Sequence, residues 1–110
     1  MSTPVSNVVE GLKNAVIKQD LLFDAGCCVF DYETENMYLI SEVVDEADRV
    51  CVYFSGVWDR PTYTVDDVWT ALCLVRDTKP LVFINVDNNT EKSFDMVDDC
   101  LGDTINFNVK

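Results

Sequence analysis

The chain has 110 residues, which is enough for one acidic domain spanning 1–110 and too short for two separate cores. Twenty Asp and Glu residues stand against eight Lys and Arg, and there is no histidine, so the formal net charge is −12. This charge repels nucleic acids and anionic lipid, so we expect no direct nucleic-acid binding and no membrane association. A basic protein is the natural complement of such a chain. The 48% hydrophobic content excludes an intrinsically disordered chain.

The five cysteines do not form the even set of a secreted disulfide framework. No signal peptide is predicted, and no apolar run approaches the ~18 residues of a membrane-spanning helix. We therefore expect an intracellular, reducing, cytoplasmic location, with the cysteines filling the core. They are Cys27, Cys28, Cys51, Cys73 and Cys100.

The first half of the chain predicts one helix followed by an antiparallel meander. Valine, leucine and alanine recur at helical spacing over 5–19, and the segment 21–26 is predicted to be a turn. Three apolar runs follow, separated by the short acidic turns 33–36 and 45–48, and such short connections require antiparallel neighbours. The predicted strands are 27–32, 37–44 and 49–55.

The stretch 49–86 is the unit around which the rest of the chain is organised, with the order strand, loop, helix, strand. The runs 49–55 and 81–86 are almost continuously apolar, which is typical of strands covered on both faces. Thr64 is predicted to cap the intervening helix, with Asp67 completing a capping box. We expect Trp69 in the core, since it shares a helical stripe with Leu72.

The last third predicts a third helix over 91–102, because Phe94, Val97 and Leu101 recur at helical spacing and Gly102 stands at the C-cap position. The segment 104–109 alternates apolar and Asn residues, which predicts an edge-like strand with one wet face. The element order is α-β-β-β-α-β-α-β. This order predicts an α+β domain in which helical crossovers extend the three-strand meander into a mixed sheet. The last three predicted strands, 49–55, 81–86 and 104–109, are expected to run in the same direction.

The sequence contains no constellation that predicts catalysis, a cofactor or a metal. Without histidine, no Ser–His or Cys–His pair exists, and the four isolated glycines form no phosphate loop. Adjacent Cys27 and Cys28 point to opposite faces of a strand, so they cannot chelate zinc as a CxxC pair does. A nuclease of the restriction-endonuclease type shares part of the element order, but the matching strand 50–54 lacks the acids and lysine that bind Mg²⁺ and activate water. We expect a protein that is not an enzyme.

Acidic residues cluster in the two turns and on the predicted third helix. One interpretation is a solvated face, and the other is an anionic surface that imitates a nucleic-acid backbone. Carboxylates one helical turn apart, ~5.4 Å, would come near phosphate spacing. The acids assigned to this surface are Glu33, Glu35, Asp45, Glu46, Asp48, Asp95, Asp98 and Asp99.

The loop 56–63 carries the residue types that dominate protein interfaces, namely Trp58, Arg60 and Tyr63. Two interpretations stay open. The loop either covers one end of the core or presents an exposed hydrophobic anchor, with Trp58 at the surface.

These features favour a binding protein that inhibits or antagonises a basic, nucleic-acid-binding protein through nucleic-acid mimicry. Small acidic proteins of phages and mobile elements often act in this way. The alternative is a structural or assembly protein, such as a virion component or a chaperone-like homodimer that pairs through the predicted edge strand 104–109.

Overall fold

The computed structural model describes residues 3–19, 25–76, 78–99 and 104–110. A short strand β1 (Thr3–Pro4) leads into helix α1 (Val5–Gln19), which has the predicted bounds. The stripe Val5, Val8 and Leu12 is buried, so the helix forms because this face packs into the core. The predicted turn 21–26 lies mostly outside the described residues.

The meander and the central unit are confirmed. Neighbouring strands of the meander are antiparallel, and the last strand of the meander runs parallel to the strand that follows the second helix. Thr64 caps that helix and forms the predicted capping box with Asp67. The elements are β2 (Gly26–Asp31), β3 (Asn36–Asp45), β4 (Val50–Ser55), α2 (Val65–Cys73) and β5 (Pro80–Asn85).

The predicted helix over 91–102 is wrong, because its described part forms two strands, β6 (Thr90–Lys92) and β7 (Phe94–Asp99). The pairing of β7 with the last strand shifts register between Phe94 and Met96, so Asp95 is the extra residue of a β-bulge. The bulge turns Phe94 and Val97 to the same side of the sheet, where both pack against the core. Apolar residues three positions apart, which are typical of a helix, are therefore produced here by a bulged strand.

The final strand, β8 (Thr104–Val109), was predicted correctly as a strand and wrongly as an edge. It lies between β2, with which it is parallel, and β7, with which it is antiparallel. Asn106 and Asn108 are buried, so this strand has no wet face. Because both of its edges are paired within the chain, a homodimer through 104–109 has no free strand edge to use.

All the strands belong to one mixed sheet that curves back on itself. The order β1-β5-β4-β3-β2-β8-β7 ends on β7, while β6 pairs with β5 at the start of the same path. Only Ser93 separates β6 from β7, so the stretch 90–99 joins the two sides of the sheet. The rings of Phe83, Phe94 and Phe107 meet inside, with centroids 5.8 to 6.3 Å apart. The α+β class with a mixed sheet is confirmed.

Both helices pack against the inner, concave face of the sheet. Leu12, Leu72, Ile40 and Phe54 are fully or almost fully buried there. Trp69 is half-buried against this core, less deeply than predicted. The other face, which we call the outer face, is covered by neither helix. No helix in the described ranges is long and apolar enough to cross a membrane.

The predicted burial of the cysteines is confirmed for three of the four described ones, and of these Cys27 belongs to the core cluster beneath the helices. Cys27, Cys28 and Cys51 are buried, whereas Cys73 is exposed at the end of α2; Cys100 lies outside the described residues. Burial raises the pKa of the Cys27 thiol to about 12, so at neutral pH it holds almost none of the reactive thiolate.

We expect iodoacetamide to alkylate Cys73 in the native protein long before Cys27 or Cys51. Mass spectrometry of peptides, with and without denaturant, measures this order. Rapid alkylation of Cys27 in the native protein would contradict its placement in the core.

Candidate protein-binding surface

The acidic residues assigned to an interface are divided between the two ends of the sheet. We call the end where β2, β4, β5 and β8 finish the upper end. Glu33, Glu35 and Asp95 lie there, whereas Asp45, Glu46 and Asp48 occupy the turn at the opposite, lower end. Asp98 and Asp99 lie on the lower half of β7, and the Asp99 side chain is outside the described structure. The acids therefore do not form one continuous surface.

Several of these acids are ion-paired within the chain. Lys92 contacts Glu33 at 3.0 Å, Arg49 contacts Glu46 at 3.2 Å, and Lys79 contacts Asp45. Glu35, Asp48 and Asp98 make no ion pair with the described residues and are exposed. Because the acids of 91–99 lie on strands, the predicted one-turn spacing of carboxylates does not exist. About 3.3 Å per residue instead separates Asp95 and Asp98 by roughly 10 Å.

Asp95 is part of a small polar cluster at the upper end. The Tyr32 hydroxyl donates a hydrogen bond of 2.9 Å to its carboxylate, and Lys110 lies 3.1 Å away. The hydrogen bond from Tyr32 and the charge of Lys110 lower the pKa of Asp95. Asp95 is therefore ionised at neutral pH, and its contribution to stability is lost only as the pH falls through that lowered value.

The loop between β4 and α2 is fixed at both ends. At its start, the Gly56 amide donates to the Asp87 carboxylate at 2.7 Å, and the Val57 amide donates to the Ser55 hydroxyl. At its end, the Thr62 hydroxyl accepts from the Ile40 amide at 2.8 Å and donates to the Cys27 carbonyl.

The same end of the loop is inserted between two strands. Tyr63 forms backbone hydrogen bonds with both Cys27 and Ile40, so the chain at 62–63 fills the gap between β2 and β3. Both ends thus determine the position of the segment between them.

The middle of this loop is exposed. Trp58 is 54% accessible, and Arg60 is exposed and pairs with the adjacent Asp59 at 3.4 Å. Tyr63, by contrast, is half-buried. The two interpretations of the loop therefore apply to different parts of it: Tyr63 closes the sheet, whereas Trp58 faces solvent.

Exposed apolar side chains are concentrated on the outer face and at its upper end. Met37, Phe30, Asn108 and Met96 form one row across four strands, because each is the register partner of the next. Six of the eight exposed large hydrophobic side chains in the described ranges belong to this region, and Ile17 and Leu74 are the other two. We call the six the apolar band. It consists of Tyr32, Met37, Val57, Trp58, Val86 and Met96.

Acidic side chains border the apolar band at each chain segment that contributes to it. Glu35 lies in the turn between Tyr32 and Met37. Asp59 follows Trp58, Asp87 follows Val86, and Asp95 precedes Met96. The band thus has an apolar centre and an acidic rim, in which Asp59 and Asp95 are paired with Arg60 and Lys110. An apolar centre with a charged rim is the composition of a specific protein interface.

Sequence reasoning identified Trp58 but missed the other five members of the band. Met37 and Met96 were present only as outward positions of strands, and Tyr32, Val57 and Val86 only as apolar residues just after strands. An outward methionine or valine on one strand carries no information until the neighbouring strands are known. The register brings the members together, and the register is not visible in the sequence.

The described residues contain no group of three or more Cys, Asp or Glu side chains placed to hold a metal ion. Comparison with known proteins finds no match for the chain among family models, curated proteins or solved structures.

Proposed function

We propose that this chain is a non-enzymatic binding protein that antagonises a basic protein by covering its cationic surface. The single observation that supports this proposal most strongly is the apolar band with its acidic rim. Exposed apolar patches bordered by polar groups are typical of protein interaction sites.

The fixed loop provides the anchor of this interface. Trp is the residue type most enriched among side chains whose truncation costs most binding energy. Because hydrogen bonds hold both ends of the loop before binding, little conformational entropy is lost when Trp58 docks. Met37 on β3 and Met96 on β7 supply adaptable contacts elsewhere along the band.

Charge selects the class of partner. The net charge of −12 accelerates encounter with a cationic surface and disfavours contact between two copies of this chain. Glu35 and Asp98 are exposed and make no ion pair with the described residues, so both are available to partner cations. A partner that uses the same basic surface for nucleic acid would be inhibited by competition.

The test is capture of a partner from host lysate, followed by binding kinetics with Trp58→Ser and with the control Ile17→Ser. Ile17 is also apolar and is more exposed, at 69%, but it lies on α1 outside the band. We expect Trp58→Ser to weaken binding about 30-fold, or ~2 kcal/mol, through faster dissociation, and Ile17→Ser to leave affinity unchanged.

Two results would contradict the proposal. Equal affinity of both variants would show that the band is not the interface. A salt-insensitive dimer of the wild-type chain that Trp58→Ser dissociates would instead favour the assembly protein. Sedimentation equilibrium at low and high salt distinguishes that outcome.

A further inference from the structure

One side of β7 pairs with β8, and the backbone on its other side pairs with no strand among the described residues. β7 ends the strand order, and its pairing over 94–99 is with β8 alone. Helix α1 runs beside it at close range, since a Cβ at Gly11 would lie 3.0 Å from the Val97 side chain. Between helix and strand lies a groove of about 490 Å³.

The chemistry of this groove differs between its floor and its rims. The floor is apolar, with Gly11, Ala15, Phe94 and Val97. The helix rim carries Asn7, Glu10 and Asn14, and the strand rim carries Asp95, Met96 and Asp98. Of the three carboxylates, Asp95 has a cation within 4 Å, and that cation is Lys110. The groove is therefore anionic at its rims and apolar beneath.

We infer that the groove binds an extended, basic segment of the partner, which adds to the sheet as a strand beside β7. Strand addition to a sheet edge next to a helix is a recurring mode of peptide recognition, in which backbone hydrogen bonds supply affinity and alternate side chains supply specificity. The inference depends on the proposed function for the existence of a partner, and it specifies how that partner is held.

Strand geometry determines the sequence pattern of the bound segment. Successive side chains of an added strand point to opposite faces. Inward residues would meet α1, Phe94 and Val97, which favours small or branched apolar side chains such as Val and Thr. Outward residues would lie beside Asp95 and Asp98, which favours Lys or Arg. A second copy of β7 is a poor occupant, because it would place Asp beside Asp.

Met96 connects this groove to the apolar band, since it belongs to both. One partner can therefore occupy the band with a folded surface and the groove with an extended segment. This continuity favours an arm or tail of the proposed basic partner over an unrelated ligand.

The inference is tested with a capped, fluorescent peptide of sequence Lys-Val-Lys-Thr-Lys-Val-Lys, measured by anisotropy against the wild-type chain. Two further peptides carry backbone N-methyl groups, one on the second, fourth and sixth residues and the other on the third and fifth. All three have the same charge. Because alternate amides of an added strand face β7, we expect one methylated peptide to bind at least tenfold more weakly and the other to bind like the parent.

Variants of the chain locate the binding site. Glu10→Gln with Asp98→Asn is expected to weaken the parent peptide about fivefold, whereas Asp48→Asn, at the lower-end turn, is the control with no effect. The Trp58→Ser variant should bind the peptide normally, because Trp58 lies in the apolar band and does not line the groove. A result that contradicts the groove is therefore distinguishable from one that contradicts the band. Absence of parent binding, or equal binding of all three peptides, would overturn the inference.

Discussion

Replacing Phe107 with Ala is expected to destabilise the protein by ~4 kcal/mol, within the ~3–5 kcal/mol range for truncating a buried Phe. Phe107 is 1% exposed, and its ring contacts those of Phe83 and Phe94. These three rings connect β5, β7 and β8 across the interior of the curved sheet. Removing the central ring leaves a cavity where three strands meet, and such a loss is a large part of a small domain's stability.

Chemical denaturation followed by circular dichroism measures this loss. Trp58→Ala is the control, because it truncates an exposed aromatic side chain, and we expect it to change stability by less than about 0.5 kcal/mol. A loss below about 1 kcal/mol for Phe107→Ala would mean that β7 and β5 do not meet over this residue.

The second large effect is expected from Lys92→Met, at ~3 kcal/mol, the lower end of the range for breaking a buried ion pair. Asp31 is 1% exposed, and the Lys92 ammonium lies 3.5 Å from its carboxylate. The second carboxylate oxygen of Asp31 accepts no hydrogen bond from the described residues, and the Lys92 ammonium is its electrostatic partner. Methionine keeps the length of the side chain but leaves the Asp31 charge buried alone.

A double variant separates charge from packing. In an Asp31→Asn background, Lys92→Met should cost much less, because Asn has no charge to compensate and its amide oxygen can still accept from the Glu33 amide. Equal cost of Lys92→Met in both backgrounds would assign the effect to lost packing.

The pH dependence of the Lys92 contribution has a definite sign. The hydrogen bond to Glu33 and the charge of Asp31 raise the pKa of Lys92, against the opposing effect of its partial burial. Its contribution is therefore complete below the ordinary lysine pKa of about 10.4 and is lost as the pH rises through the raised value. The stability difference between wild type and Lys92→Met should narrow in that alkaline range.

The sequence determined those parts of the fold whose signals are local. The stripe of α1, the Thr64–Asp67 capping box and the short turns of the meander depend on residues within a few positions of one another. The crossover from β4 through α2 to β5 follows from the handedness and length of such connections. Net charge does not depend on the fold, so the proposal of a basic partner rests on composition alone.

Tertiary structure decided that the segment 91–99 forms strands and not a helix. Phe94 and Val97 are three residues apart, which fits a helix, but the bulge at Asp95 produces the same spacing in a strand. The register with β8 and the phenylalanine cluster stabilise the strand, and both involve residues far away in the sequence. The same pairing makes β8 interior and buries Asn106 and Asn108, which alternation alone predicted to be wet.

The candidate interface also has one part that the sequence indicates and another that depends on tertiary structure. Trp58 was visible in the sequence, since a Trp in a loop between Gly56 and Pro61 has few ways to be buried. The band around it depends on strand register and on which face the helices cover, and the groove depends on how closely α1 approaches β7 at Gly11. Local sequence determines which segments are helix or strand, whereas long-range pairing determines which outward side chains become neighbours.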